Sequence, residues 1–301
     1  MVPYDELSLF HENAEEFGLP YDGPPHVERV FVDVEPDADG PRRISALVWG
    51  DASPELVLLH GGAQNAHTWD TVAMALARPL VAIDLPGHGH SDGGRNGSLD
   101  LTANAQDVAT VVRTLAPSAR GVIGMSLGGL TTIALADAAP QLVRAIVLVD
   151  VTPGVNAEKG KVIGEFVNGP DSFADFDEIL ARTIAYNPTR TVSSLRRGIL
   201  HNAEQRPDGS WVWRYARFLS REPREHPDWT GLWEAISRVR VPLMLVRGMR
   251  PQSVVDDADE AELLRRLPGA RVAHVAEAGH SVQGDTPVEL AGLIDAFVPR
   301  D

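Results

Sequence analysis

Cysteine is absent from all 301 residues, which removes disulfides, thiolate nucleophiles and thiolate metal sites in one step. Basic residues are few beside the acidic ones, 27 Lys and Arg against 42 Asp and Glu, for a net charge of −15. A chain so charged has no phosphate-neutralising stripe to offer, so no nucleic acid and no anionic membrane surface is expected as a partner. No apolar run approaches the roughly 18 residues that a membrane helix needs. Residues 1–18 carry Asp5, Glu6, Glu12, Glu15 and Glu16 without the basic start and apolar core of a secretory signal. The expected setting is cytoplasmic.

What is present is an ordinary globular composition, 44% hydrophobic and 23% charged, on a chain long enough for one large α/β domain or two average ones. Leu7, Phe10, Ala14 and Phe17 stand at helical spacing, compatible with an amphipathic helix or with a partly ordered tail. Arg29 to Val34 and Arg43 to Trp49 alternate in the β manner around Pro36, Asp39-Gly40 and Pro41, and read as a strand pair with a turn. From Glu55 onward, buried apolar runs alternate with helical patterns: strands at 55–60, 80–84, 120–125, 144–150, 241–246 and 271–275, helices at 67–78, 101–115, 127–139, 233–239, 257–267 and 287–297. That alternation predicts a doubly wound, mostly parallel sheet of eight strands.

The alternation breaks after the sixth strand. Residues 151–230 hold helical stretches at 173–185 and 191–203, an Asp208-Gly209 turn, and then Trp211, Val212, Trp213, Tyr215 and Phe218. An insertion placed past a strand's C-terminal end lies over the edge where open α/β sheets bind ligands, so it reads as a helical cap or lid. Its aromatics line a pocket or form the lid's own small core. The expected organisation is an N-terminal extension at 1–28, a core at 29–150 and 231–301, and a cap at 151–230.

At the centre of the pattern stands Gly124-Met125-Ser126-Leu127-Gly128. An apolar β run precedes it and a helical pattern of Leu130, Ile133, Ala134 and Leu135 follows, so the serine falls on a very tight strand-to-helix turn. A side chain at either glycine would crowd that turn. Ser126 is thereby exposed over the sheet edge as a nucleophile, with the N-terminal donors of the following helix aimed at the same spot. Other glycine-bearing turns follow the strands: His60-Gly61-Gly62-Ala63, then Asp84-Leu85-Pro86-Gly87-His88-Gly89-His90-Ser91, and Ala278-Gly279-His280. His88 and His90 have metal-like spacing but no accompanying carboxylate and histidine cluster, so a packed turn is expected there and no metal. Gly87-His88-Gly89 lacks the third glycine of a dinucleotide loop, and no cofactor is expected.

These four motifs, in this order and at these strand ends, resemble the α/β-hydrolase fold of the capped serine type, from about residue 28 to the C-terminus. The resemblance implies that His280 is the general base for Ser126, which needs an imidazole in reach to lose its proton. It implies an oxyanion hole made by the Leu127 N–H and by Gly62, with Ala63 as the alternative. It also implies an acid three or four residues beyond Gly248, where this chain has Met249, Arg250, Pro251 and Gln252. Asp150, at the end of the sixth strand, is the replacement expected, by analogy with relatives that carry the acid there. Asp256 or Asp257, Gln252 as an uncharged orienter, or no third member remain open.

A serine at this elbow implies acyl transfer to water: an esterase-like hydrolase acting on a small or medium carboxylic ester or lactone. Similar capped enzymes cleave thioesters or carbon–carbon bonds, and the cofactor-free haloperoxidases share the arrangement. The reading from another class is a catalytically weak small-molecule receptor on the same scaffold, supported by the missing acid. A small molecule is the expected partner, and a homo-oligomer is compatible with the sequence.

Overall fold

The computed structural model describes residues 4–94, 99–155, 158–215 and 228–300. In chain order, helix α1 (Phe10–Phe17) precedes strands β1 (Val27–Asp37), β2 (Gly40–Trp49) and β3 (Leu56–Leu59). A 3-10 turn at Ala66–Trp69 leads into α2 (Asp70–Leu76), followed by β4 (Leu80–Ile83), α3 (Leu101–Leu115), β5 (Gly121–Met125), α4 (Leu127–Ala138) and β6 (Ile146–Val149). Next come α5 (Lys161–Val167), α6 (Phe176–Tyr186), α7 (Val192–Asn202) and the short strands β7 (Ala203–Gln205) and β8 (Trp211–Trp213). The chain ends with α8 (Leu232–Arg238), β9 (Leu243–Gly248), α9 (Asp257–Arg266), β10 (Arg271–Val275), α10 (Val282–Asp285) and α11 (Pro287–Phe297).

Eight strands form one sheet in the order β1-β2-β4-β3-β5-β6-β9-β10. The β1·β2 and β2·β4 pairs are antiparallel and the remaining five are parallel. The central strands read as continuous apolar runs because both faces are covered. On β6, Ile146 and Leu148 join the core under α3, α4 and α8, while Val147 and Val149 join the core under α2 and α11. Fully burying each such side chain is worth about 1.5–3 kcal/mol.

The strand pair at the start begins at Val27, two residues before the expected onset, and the helix expected from residue 67 opens as the 3-10 turn. The N-terminal segment is helical, as one of its two readings had it. Phe10 is buried edge-on against Trp49 at 5.1 Å, so α1 is anchored to the sheet's flank.

Between β6 and α8 the described residues form α5 to α7 and the β7·β8 hairpin. Trp211 belongs to the small core of this segment with Phe173, Ile179 and Ile199. Trp213 is half-buried and stacks on Tyr215 at 5.6 Å. Phe218 lies outside the described residues. No helix among the described residues is long and apolar enough to cross a membrane.

Candidate active site

The turn after β5 is as tight as its glycines suggest. A Cβ on Gly124 would stand 2.4 Å from the Gly128 carbonyl oxygen, and one on Gly128 would stand 2.2 Å from that of Leu59. Ser126 takes φ 50° and ψ −117°, a conformation that costs an L-residue about 1–3 kcal/mol. The cost is absorbed by the packed strand before it and by α4 behind it, whose first-turn N–H groups have no partner within the helix. Ser126 and Leu127 open on a cavity of about 460 Å³, with Leu130, Val151, Ile163 and Val167 among its apolar walls.

His280 lines the same cavity, in the turn between β10 and α10. Its Nδ1 lies 2.9 Å from Asp150 Oδ2. Asp150 is fully buried and holds φ 47° at the end of β6. Its carboxylate accepts three further hydrogen bonds, from Gly248 N at 2.9 Å, Ser253 Oγ at 2.6 Å and Val254 N at 3.1 Å. A carboxylate that meets donors on every side holds the proton of His280 on Nδ1 and leaves Nε2 as the ring's acceptor. Asp256, by contrast, caps α9 by accepting from Asp259 N and pairs with Lys159 at 2.8 Å. Asp257 is exposed and pairs with Arg247, and Gln252 is exposed.

The loop after β3 crosses directly above the elbow. A Cβ on Gly61 would lie 3.3 Å from that of Ser126 and 2.4 Å from Met125 Sδ. Gly62 and Ala63 line the cavity, and Ala63 adopts a left-handed φ of 60°. Two contacts that no motif announces hold this loop: Asn202, at the end of α7, donates from Nδ2 to the Ala63 carbonyl at 2.6 Å, and Asn65 Nδ2 donates to the His201 carbonyl at 2.9 Å.

His60 is a strut. Burial pulls its pKa below the ordinary value, and the neutral ring donates from Nδ1 to the Gly61 carbonyl at 2.7 Å and accepts at Nε2 from Leu85 N at 2.9 Å. The loops after β3 and β4 are thus pinned together. Asp84 continues the pinning, bonding Ala66 N at 2.7 Å and Arg29 Nη1 at 2.8 Å. Burial opposes its charge, yet Arg29 and the backbone donors hold its carboxyl below the usual range. His88 and His90 belong to this packed turn: His88 Nδ1 donates to the Pro86 carbonyl, and His90 N donates to Asp84.

Metal-type side chains gather elsewhere, at His67, Asp70 and His201, whose donor atoms lie within 4.8 Å of one another. The two imidazoles are stacked at 3.9 Å and 13°, so their in-plane lone pairs run side by side and do not converge on one ion. His67 Nδ1 already holds Asp70 at 2.9 Å. The group is an ion pair of His67 with Asp70 on which the His201 ring of α7 stacks.

With this geometry in hand, the sequence matches the profile of the Alpha/beta hydrolase family over residues 56–293. The chain belongs to that family. It is 44% identical over 298 residues to an esterase of Mycobacterium tuberculosis, Esterase Rv0045c, covering 96% of this chain and 94% of that one. A crystal structure of that esterase superposes with a TM-score of 0.82 at 43% identity, covering 98% of each chain. A more distant relative is a pimeloyl-[acyl-carrier protein] methyl ester esterase of Nitrosomonas europaea, 28% identical over 81% of this chain and 95% of the relative. The fold expected from the strand order and the hydrolase class expected from the serine elbow both stand.

Proposed function

We propose that the chain is a serine esterase in which Ser126 is the nucleophile, His280 the general base and Asp150 the acid that orients it. The observation that carries this reading is the 2.9 Å contact between His280 Nδ1 and Asp150 Oδ2, with Ser126 and His280 on the wall of one apolar cavity. The esterase named above supports the substrate class, a carboxylic ester. The receptor reading drew on a missing acid, and a buried carboxylate on His280 removes that support.

In the proposed cycle, Ser126 Oγ attacks the ester carbonyl while its proton passes to His280 Nε2. The carbonyl oxygen becomes an oxyanion facing the N–H groups of Leu127 and Gly62, at the positive end of α4. Collapse expels the alcohol, which takes the proton from His280 and leaves an acyl-serine. Water, deprotonated by the same Nε2, then attacks the acyl carbon; the carboxylic acid departs and Ser126 regains its proton. Asp150 keeps the Nδ1 proton of His280 on the ring and stabilises the imidazolium of each half-reaction.

We read residues 151–230 as the cap, on the evidence that Val151, Ile163, Phe166 and Tyr186 wall the catalytic cavity and that Asn202 holds the oxyanion loop. The test is turnover of a short-chain chromogenic ester. Ser126→Ala should lower kcat by about 10³-fold or more with the fold intact. Near wild-type turnover by the purified variant would refute the assignment.

A further inference from the structure

Beside the catalytic cavity lies a second one of about 150 Å³, and Ala63, Gln64, Phe166 and Asn187 line both. The two chambers differ in chemistry. The first is largely aliphatic, whereas the walls of the second include Asn13, Asn65, Thr183, Arg190 and Ser194.

Arg190, in the loop between α6 and α7, is the unusual member. Its Nε is buried without a hydrogen-bond partner, and its Nη2 donates to Ser194 Oγ. Among the described residues no carboxylate forms an ion pair with it. Asp285 and Glu16 act on it only at longer range, and Arg197 opposes them. Asp285 is engaged by Gly279 N, and Glu16 by Arg197 and Thr191. A half-buried guanidinium whose Nε is shut off from water without an acceptor is costly, and its planar fork of donors matches a carboxylate.

Its placement is also built. The guanidinium lies on Gly284 of α10, where a Cβ would come within 2.7 Å of Cζ and Nη1. The segment that carries His280 therefore leaves room for the Arg190 head in the neighbouring chamber.

We propose that Arg190 anchors a carboxylate at the far end of the substrate, making the preferred substrates esters that end in a free carboxylate, of which half-esters of short dicarboxylic acids are the simplest. The proposal rests on the esterase reading above. A monoanion fits better than a phosphate: the chamber's other charged walls are already paired, Arg197 with Glu16 and His67 with Asp70, so Arg190 alone balances the incoming charge.

Two para-nitrophenyl esters of equal acyl length test it, the hydrogen glutarate with its terminal carboxylate and the neutral valerate. The wild-type kcat/KM ratio should favour the glutarate by about tenfold or more, the scale of one charged hydrogen-bond pair. Arg190→Gln should bring the ratio to about one or below, and Arg190→Lys should keep part of it. Gly284→Ala, which displaces the guanidinium and keeps its charge, should also lower the ratio. A wild-type ratio at or below one, or a ratio unchanged in folded Arg190→Gln, overturns the proposal. If the wild type hydrolyses neither ester, it is the esterase reading that fails. Calorimetric titration with valerate, a monocarboxylate of the same chain length, then reads the anchor directly: binding that Arg190→Gln abolishes supports it, and no binding to the wild type overturns it.

Discussion

Ser253 Oγ lies 2.6 Å from Asp150 Oδ1, so the loop after β9 holds the carboxylate that the neighbouring strand end carries. In the family's commoner pattern that loop would itself bear the acid. Here it contributes donors, Gly248 N and Val254 N besides the Ser253 hydroxyl, and the charge sits one strand away.

Asp150→Asn should therefore cripple turnover, by about 10⁴-fold, because an amide no longer fixes the His280 tautomer. Asp256→Asn and Asp257→Asn should leave kcat within about twofold, since neither side chain touches His280. Steady-state kinetics on a neutral ester decides between them. A crippled Asp256→Asn with an active Asp150→Asn would move the acid back to the loop after β9.

Ser253→Ala should have a milder effect, a kcat loss of about tenfold with KM little changed, because two backbone donors still hold Asp150. Ser253→Thr, which restores a hydroxyl, should recover most of the loss. A purely structural role would instead lower Tm without this kcat pattern.

The two tryptophans of β8 should separate cleanly. Trp211 is buried among Phe173, Ile179 and Ile199, and Trp211→Ala should destabilise by about 3–5 kcal/mol. Trp213 lines the second cavity, and Trp213→Ala should shift chain-length preference more than stability. Melting curves together with a series of acyl lengths test both. An unchanged substrate profile for Trp213→Ala would return that ring to the cap's own packing.

Stability should peak near pH 6.5. Burial pushes His88 down to about 3 and draws His60 and His201 below the ordinary range, so they stay neutral in the folded protein. Below about pH 6.5 the unfolded chain takes up protons that the folded one refuses, and stability falls as pH falls. His67 has the opposite sign. Burial opposes its charge, but Asp70 and Glu6 prevail and push it up to about 9. Its contribution is complete below about pH 6.5 and is lost as pH rises through 9. Denaturant titrations across pH 4–10 should give a two-sided profile, and His67→Asn should flatten the alkaline limb alone.

Local motifs pointed to most of the residues of the proposed site. Gly124, Ser126 and Gly128 are legible because the turn they make is a steric matter settled within five residues. His280 came from the resemblance, by its place after the last strand, whereas Asp150 was one of several readings left open by the lack of an acid beyond Gly248. The contacts of Ser253, Asn202 and Arg190 were not legible, because they depend on which strand ends and which segments between β6 and α8 meet, and no spacing encodes that. Ser253 reaches Asp150 across 103 residues of chain. The α5 helix escaped notice in a stretch punctuated by Gly160 and Gly164, and the three-residue strands β7 and β8 are too short for alternation to register.

Helix α1 binds two bodies at once. Phe10 grips Trp49 at the sheet, Asn13 Oδ1 accepts from both Thr71 and Arg197, and Glu16 pairs with Arg197 on α7. The same α7 ends in Asn202, which holds the loop over Ser126. Strain placed on this helix by an affinity tag or fusion partner would thus reach the loop beside Ser126. Conversely, the first eighteen residues offer protein engineers a handle on selectivity remote from the reacting atoms.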